Sequence, residues 1–325
     1  MLHDETGQVT PPKFPFPAEY HAPKDASRRE HMARWITSPD NRYFAKSYVN
    51  RVWGYMLGIA FIEPLDDIRA GNPPTNPELL DRLTREFVDG GFNVRHLIRT
   101  ICKSRTYQMS IVSNKWNEDD RINYSRAMAR RLPAEVLYDT LHRATGSISK
   151  LPGVPPGTRA AELPDIGVKE PSGFLAKFGR PPRESACECE RAGGMQFGPV
   201  MALVSGPMVD GVINDPNNEI TKLVAREKDD ARLVDEMFMR ILNRPATDAE
   251  KKVGVAAIAS LPAEHARLVA EMKKAEQSLK ADDPKMQRLR GDVELSAKQL
   301  KNARLTAAQD IAWALINSPA FLFNR

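Results

Sequence analysis

The sequence predicts an all-α protein, an irregular multi-helix bundle with long Pro-rich loops and a projecting antiparallel helical hairpin near the C-terminus. Three observations predict it. Apolar residues recur at steps of three and four in one segment after another. Ser, Thr, Asn or Asp opens many of these segments, and Gly or Pro closes them. No stretch alternates apolar and polar residues for long enough to compete as a strand.

The elements follow in chain order. Residues 1–27 hold Pro11, Pro12, Pro15, Pro17 and Pro23, so they form an extended leader that drapes over the domain. Ser27-Arg28-Arg29-Glu30 is a capping box that starts a short helix ending near Ser38-Pro39. Phe44, Tyr48, Val52 and Met56 mark the next helix, with Gly58 as its stop. Residues 59–76 are a loop of turn formers. Asn76-Pro77 then pairs an N-cap with proline at the first helical position, and Leu79, Leu80, Leu83 and Phe87 form the stripe that follows. Asn93 opens a helix with Val94, Leu97, Ile98, Ile101 and Cys102 on one face. Further helices are expected at 118–130 and 133–145, the second closing at Gly146.

Residues 147–195 are read as an irregular, Pro-rich crossing segment, too broken for long helices. They divide an N-terminal helical half, 28–146, from a C-terminal half, 196–325. In the latter, Leu233, Met237 and Ile241 form a stripe and Thr247-Asp248-Ala249-Glu250 is a second capping box. Leu268, Met272, Ala275 and Leu279, then Met286, Leu289, Val293, Ala297 and Leu300, step by threes and fours on either side of Asp282-Asp283-Pro284. They predict a coiled-coil-like hairpin over 262–309, whose second arm extends through Trp313 to Ser318.

Composition narrows the function classes. Lys+Arg number 47 against 42 Asp+Glu, a formal charge of +5, which over 325 residues is a solubility term and sets nucleic acid low among partners. No window reaches the ~18–20 apolar residues of a membrane span, and the first residues lack the pattern of a secretion signal. Walker A, dinucleotide-binding, His-Glu-x-x-His, Gly-x-Ser-x-Gly and Cys-x-x-Cys-His motifs are all missing. The last means no covalent haem in this chain, and no cofactor is assigned with certainty.

Four constellations remain as candidates. Cys187 and Cys189, one residue apart and flanked by Arg183 and Arg191, have the ligand chemistry for a soft metal ion or a redox role. The competing reading is structural cysteines. Asp66 and Asp67, near Arg51 and Arg69, are candidate general acid and base or cation ligands. The competing reading is an ion-pair network that pins the loop to the helix carrying Trp53. Trp116, in the polar stretch Asn114-Lys115-Trp116-Asn117, is a candidate to stack on a sugar ring or a partner, against simple capping of the bundle. Arg126, Arg130 and Arg131 form a basic cluster suited to an acidic polymer such as anionic polysaccharide, or to pairing with nearby acids. Cys102, Trp53 and Trp313 read as packing residues, and His96 as a surface or helix-terminal residue.

The motifs also carry a family likeness. Asn41-Arg42-Tyr43-Phe44-Ala45, Val49-Asn50-Arg51-Val52-Trp53 and Pro64-Leu65-Asp66-Asp67-Ile68-Arg69 come first. Asn72 to Asp81, Leu97 to Ile101, Ser104 to Gln108, Arg130-Arg131-Leu132, Phe178-Gly179-Arg180-Pro181, Cys187-Glu188-Cys189-Glu190-Arg191 and Trp313 to Leu322 follow in order. Together they resemble domain-of-unknown-function family 1553, a planctomycete family. The resemblance implies a C-terminal region of long exported chains that often carry a cytochrome c domain upstream. It therefore implies protein partners, including those upstream domains, and an exported or periplasmic location. It implies no established reaction. Three functions are kept open: an interaction or scaffold module, a metal-dependent or redox enzyme domain, and a binder of anionic polysaccharide or nucleic acid.

Overall fold

The computed structural model describes residues 5–9, 11–164, 166–181, 197–278, 280 and 283–324. It divides into two compact units, one running to Ala129 and one spanning Arg130–Asn324. Each has a helical core of its own.

In the first unit the capping box at Ser27 is formed in both directions. The Ser27 hydroxyl accepts from the Glu30 amide at 3.3 Å and the Glu30 carboxylate accepts from the Ser27 amide at 2.9 Å. This starts α1, Arg28–Ile36. The Pro-rich segment before it lies on α1. Phe14 stacks on Trp35 at 4.7 Å, and the Trp35 indole N–H donates to the Phe16 carbonyl at 3.2 Å. Asn41 caps α2, Arg42–Leu57, and Gly58 at φ +88° ends it in the left-handed conformation that glycine adopts without strain. Asn76 caps α3, Pro77–Asp89, and Asn93 caps α4, Val94–Lys103. Val49, Trp53, Phe61, Leu80, Phe87, Leu97 and Ile101 form the core these helices share. Fully burying a residue such as Leu80 contributes about 1.5–3 kcal/mol.

The helix expected at 118–130 does not form. Asp120 takes the backbone amides of Ile122, Asn123 and Ser125 onto its carboxylate, which competes with helical hydrogen bonding. Tyr124 sits at φ +54°, outside the right-handed helical region.

The second unit starts with β1, Arg130–Arg131, paired antiparallel with β2, Phe323–Asn324, a ladder of two residues that no sequence periodicity could signal. Helix α5, Ala134–Thr145, ends at Gly146 with φ +72°. The sequence reading joins this helix to the N-terminal half. In the structure its apolar face, Leu137, Tyr138 and Leu141, packs in the core of the second unit. A 3-10 turn at Ala160–Glu162 and the one-turn α6, Phe174–Lys177, interrupt the Pro-rich stretch.

Helices α7, Phe197–Ser205, α8, Pro207–Ile213, α9, Glu219–Arg226, and α10, Asp230–Leu242, supply Val209, Val212, Ile220, Leu233 and Met237 to the same core. Helix α11, Asp248–Glu276, begins at the Thr247 capping box and runs 29 residues through Pro262. Gly254 lets it approach α10 closely, because a Cβ there would lie 2.7 Å from a Val234 methyl. Helix α12, Pro284–Leu300, packs beside the C-terminal part of α11, and Ala275, Met286 and Leu289 form a small separate core. His265 and Ser296 hydrogen bond across the pair at 3.1 Å. A break at residues 301–302 separates α12 from α13, Ala303–Ile316, which buries Ala307, Ala308, Ala312 and Ile316. The last helix, α14, is Pro319–Leu322. No helix among the described residues is long and apolar enough to cross a membrane.

Candidate functional site

The loop after α2 is held from beneath by one side chain. Asn50 is completely buried on α2. Its amide donates to the carbonyls of Ile62 at 3.0 Å and Leu65 at 3.2 Å, and its oxygen accepts from the Ile62 amide at 3.0 Å. A helix side chain thus satisfies loop backbone that would otherwise be buried without partners. Trp53, one turn further along α2, stacks on Phe61 at 4.4 Å and seals the loop against the core.

Asp66 and Asp67 stand on this loop and point to different partners. Asp66 pairs with Arg51. Burial works against the Arg51 charge, but the Tyr55 and Asp66 hydrogen bonds outweigh it and raise the guanidinium pKa. Asp67 pairs with Arg69 at 2.9 Å and accepts from Asn72 at 3.4 Å, while the same Asn72 amide also reaches the carbonyls of Glu63 and Asp67. The two carboxylates therefore do not form a proton-sharing pair. The arrangement is an ion-pair network on a pinned loop.

Trp116 is 81% exposed. The backbone around it is held by several hydrogen bonds. The Trp116 amide donates to Asn114 at 2.9 Å, and the Asn114 amide donates to Asn117 at 2.8 Å. Arg126 donates to the carbonyls of Asn117 at 3.0 Å and Glu118 at 3.2 Å. Asp120 is held well below the usual carboxylate range, first by the Ser125 hydroxyl and then by the Asn123 and Ile122 amides. Tyr124 ties the loop back through its hydroxyl to the Ile59 carbonyl at 3.4 Å. Lys115 lies over the Trp116 ring at 4.8 Å, and Val112 and Ile122 are exposed nearby in sequence.

The basic cluster is divided. Arg126 belongs to the first unit and braces the Trp116 loop, whereas Arg130 and Arg131 belong to the second and form β1. Cys187 and Cys189 lie outside the described residues. Cys102 is a half-buried free cysteine, and His96 is a surface residue of the first turn of α4, 2.9 Å from Glu86. Among the described residues no group of three or more His, Cys, Asp and Glu side chains is arranged to hold a metal ion.

One feature of the second unit has no precursor in the sequence reading. Helices α8 and α13, with the ends of α7 and α12, border a cleft of about 440 Å³. Asp210, Asn214, Gln299, Gln309, Asp310 and Trp313 line it. Trp313, expected as a packing residue, is 39% exposed and forms part of the wall, its indole N–H donating to the Val204 carbonyl at 3.1 Å. Asp210 and Asp310 are far apart in sequence, so no local motif could announce the site.

No curated protein and no solved structure matches the chain. A family model does match, over residues 28–258, a span that includes the Asn50-pinned loop, the Trp116 loop and the helices up to the first part of α11. The chain belongs to the family described as PSD1, protein of unknown function (DUF1553).

Proposed function

We propose that this chain is a protein-interaction module of the exported, cytochrome-linked systems that the family resemblance implies, with Trp116 as a principal contact. The observation that carries the reading is a large indole held outward on a loop whose own polar groups are bonded to one another. Burying a Trp of 150–250 Å² under a partner contributes roughly 4–6 kcal/mol before association costs. Ordering the loop beforehand lowers the entropy lost on binding. The acid and arginine residues of the loop after α2 favour the same reading, since Asp66 and Asp67 are paired with Arg51 and Arg69 and do not converge on one site. Upstream domains of the family's longer chains are the partners of first choice.

The test uses the whole chain and the purified cytochrome c-type domain of a longer family member, with binding measured by calorimetry. The reading expects micromolar affinity that weakens by about tenfold or more in Trp116→Ala, the range for an aromatic hot spot. No binding, or equal binding by that variant, overturns it.

A further inference from the structure

We propose that the cleft between α8 and α13 is a recognition site for an organic cation, a guanidinium or primary ammonium group carried on an aliphatic stem.

Several donors of the cleft are already engaged within the protein. The Trp313 N–H is held by the Val204 carbonyl, the Asn214 amide by Asp210 at 2.6 Å, and the Gln309 amide reaches the Ile213 carbonyl at 3.5 Å. The Thr306 hydroxyl donates to the Gln299 carbonyl at 3.4 Å and the Ser205 hydroxyl to the Met201 carbonyl at 3.2 Å. What remains to face a ligand is the second oxygen of Asp210, both oxygens of Asp310 and the side-chain carbonyls of Asn214, Gln299 and Gln309, beside the amide N–H groups of Gln299 and the second N–H of Asn214 and of Gln309.

The charge is what is one-sided. Among the described residues neither Asp210 nor Asp310 has a cationic partner. Asp310 has no hydrogen bond there at all, and partial burial, with Glu264 adding repulsion, raises its carboxyl above the ordinary range. Two carboxylates with no cationic side chain beside them among the described lining residues repel anions. A bare metal ion finds too few ligands, since among the described residues no three carboxylate, His or Cys groups converge. A guanidinium presents five N–H donors and an ammonium three, with no acceptor, which complements the vacant acceptors. The partly exposed Trp313 ring and the exposed Val204 side chain give a face for the cation and an apolar edge for its stem. The volume of about 440 Å³ suits a ligand of side-chain size.

This site lies in the second unit and is independent of the Trp116 reading. The probes are N-acetyl-arginine amide, its neutral isostere N-acetyl-citrulline amide, and calcium chloride. Each is titrated against the whole chain by calorimetry and by the Trp313 indole resonance, assigned with Trp313→Phe. The arginine probe is expected to bind and to shift that resonance, with the citrulline probe at least about tenfold weaker. Asp310→Asn weakens binding by about tenfold, and Asp310→Glu restores part of it, with unchanged far-UV dichroism showing that both fold. A peptide Gly-Gly-Arg-Gly-Gly that binds more tightly than the capped residue assigns the cation to a protein segment. Equal affinity assigns it to a free small cation. Equal binding of citrulline, binding of calcium alone, no effect of Asp310→Asn, or no binding at about millimolar concentration overturns the proposal.

Discussion

Replacing Asn50 by Leu tests whether the charge cluster or the buried amide holds the loop after α2. Leu is close to Asn in size, so the change removes three hydrogen bonds without opening a large cavity. The Ile62 N–H and C=O are then buried without partners, at about 1–3 kcal/mol each, and the partly buried Leu65 carbonyl loses about 0.5–1.5 kcal/mol. Added apolar burial of Leu offsets roughly 1–2 kcal/mol. The net loss is therefore about 3 kcal/mol, or a fall of roughly 10 °C in the melting temperature of a unit this size. Asp66→Ala supplies the contrast. It breaks an ion pair whose side chains are 27% and 42% exposed, worth about 0–1 kcal/mol. Both variants are followed by thermal unfolding and by hydrogen exchange at the Ile62 and Thr75 amides, the second of which donates to the Phe61 carbonyl at 2.8 Å. An Asn50→Leu loss below about 1 kcal/mol, or an Asp66→Ala loss as large as that of Asn50→Leu, refutes the assignment of the loop to Asn50.

Three further outcomes are expected. Gly146→Ala destabilises the second unit by more than about 1 kcal/mol in urea unfolding, because the position has φ +72° and the new Cβ would lie 2.3 Å from Glu219 Cγ. Lowering the pH loosens the Trp116 loop. The folded pKa of Asp120 is depressed, so its contribution is complete above the unfolded value of about 3.9 and is lost as pH falls through the folded value; Asp120→Asn removes that acid transition, read from Trp116 emission in a variant lacking the other tryptophans' signal changes. Arg304→Met costs about 2 kcal/mol by thermal unfolding, since Arg304 donates to Asp230 at 2.7 Å and to the Val224 and Glu227 carbonyls, joining α13 to the end of α9.

The helix starts were readable because capping is local chemistry. Ser27, Asn76, Asn93 and Thr247 each need only an amide two or three residues ahead, and all four accept one. The stretch 118–130 misled for the same reason: Asp120 and Asn117 are also local, and their side-chain bonds to nearby backbone replaced a helix that polar composition did not forbid. The allegiance of α5 was not readable, because an apolar stripe reveals that a face is buried and not which face buries it. Helix α11 ran on through Pro262 because its capped N-terminal half and the hairpin arm are one continuous helix, which separate stripes in the sequence do not reveal. Asp66 and Asp67 were legible as a pair of acids; their division between Arg51 and Arg69 depended on loop geometry. The cleft was invisible, since Asp210, Asp310 and Trp313 meet only when α8 and α13 pack.

The contrast between the two acidic sites decides where chemistry is to be sought. In the first unit several polar groups of the motif region have structural partners: Asn50 holds Ile62 and Leu65, Arg51 holds Asp66, and Arg126 holds the Trp116 loop. Where the bond positions backbone, as for Asn50 and Arg126, a ligand that displaces it gains less by what is lost. Asp310 gives up nothing. Among the described residues it has no partner, and burial and Glu264 both disfavour its charge in the free protein. A cation arriving there offsets the unfavourable surroundings of the carboxylate through a charge-assisted bond and breaks no bond within the protein to do so. Among the described residues, the polar groups of the first unit's motifs are thus largely engaged with one another, and unengaged capacity is found at an outward indole at Trp116 and an unpaired carboxylate at Asp310.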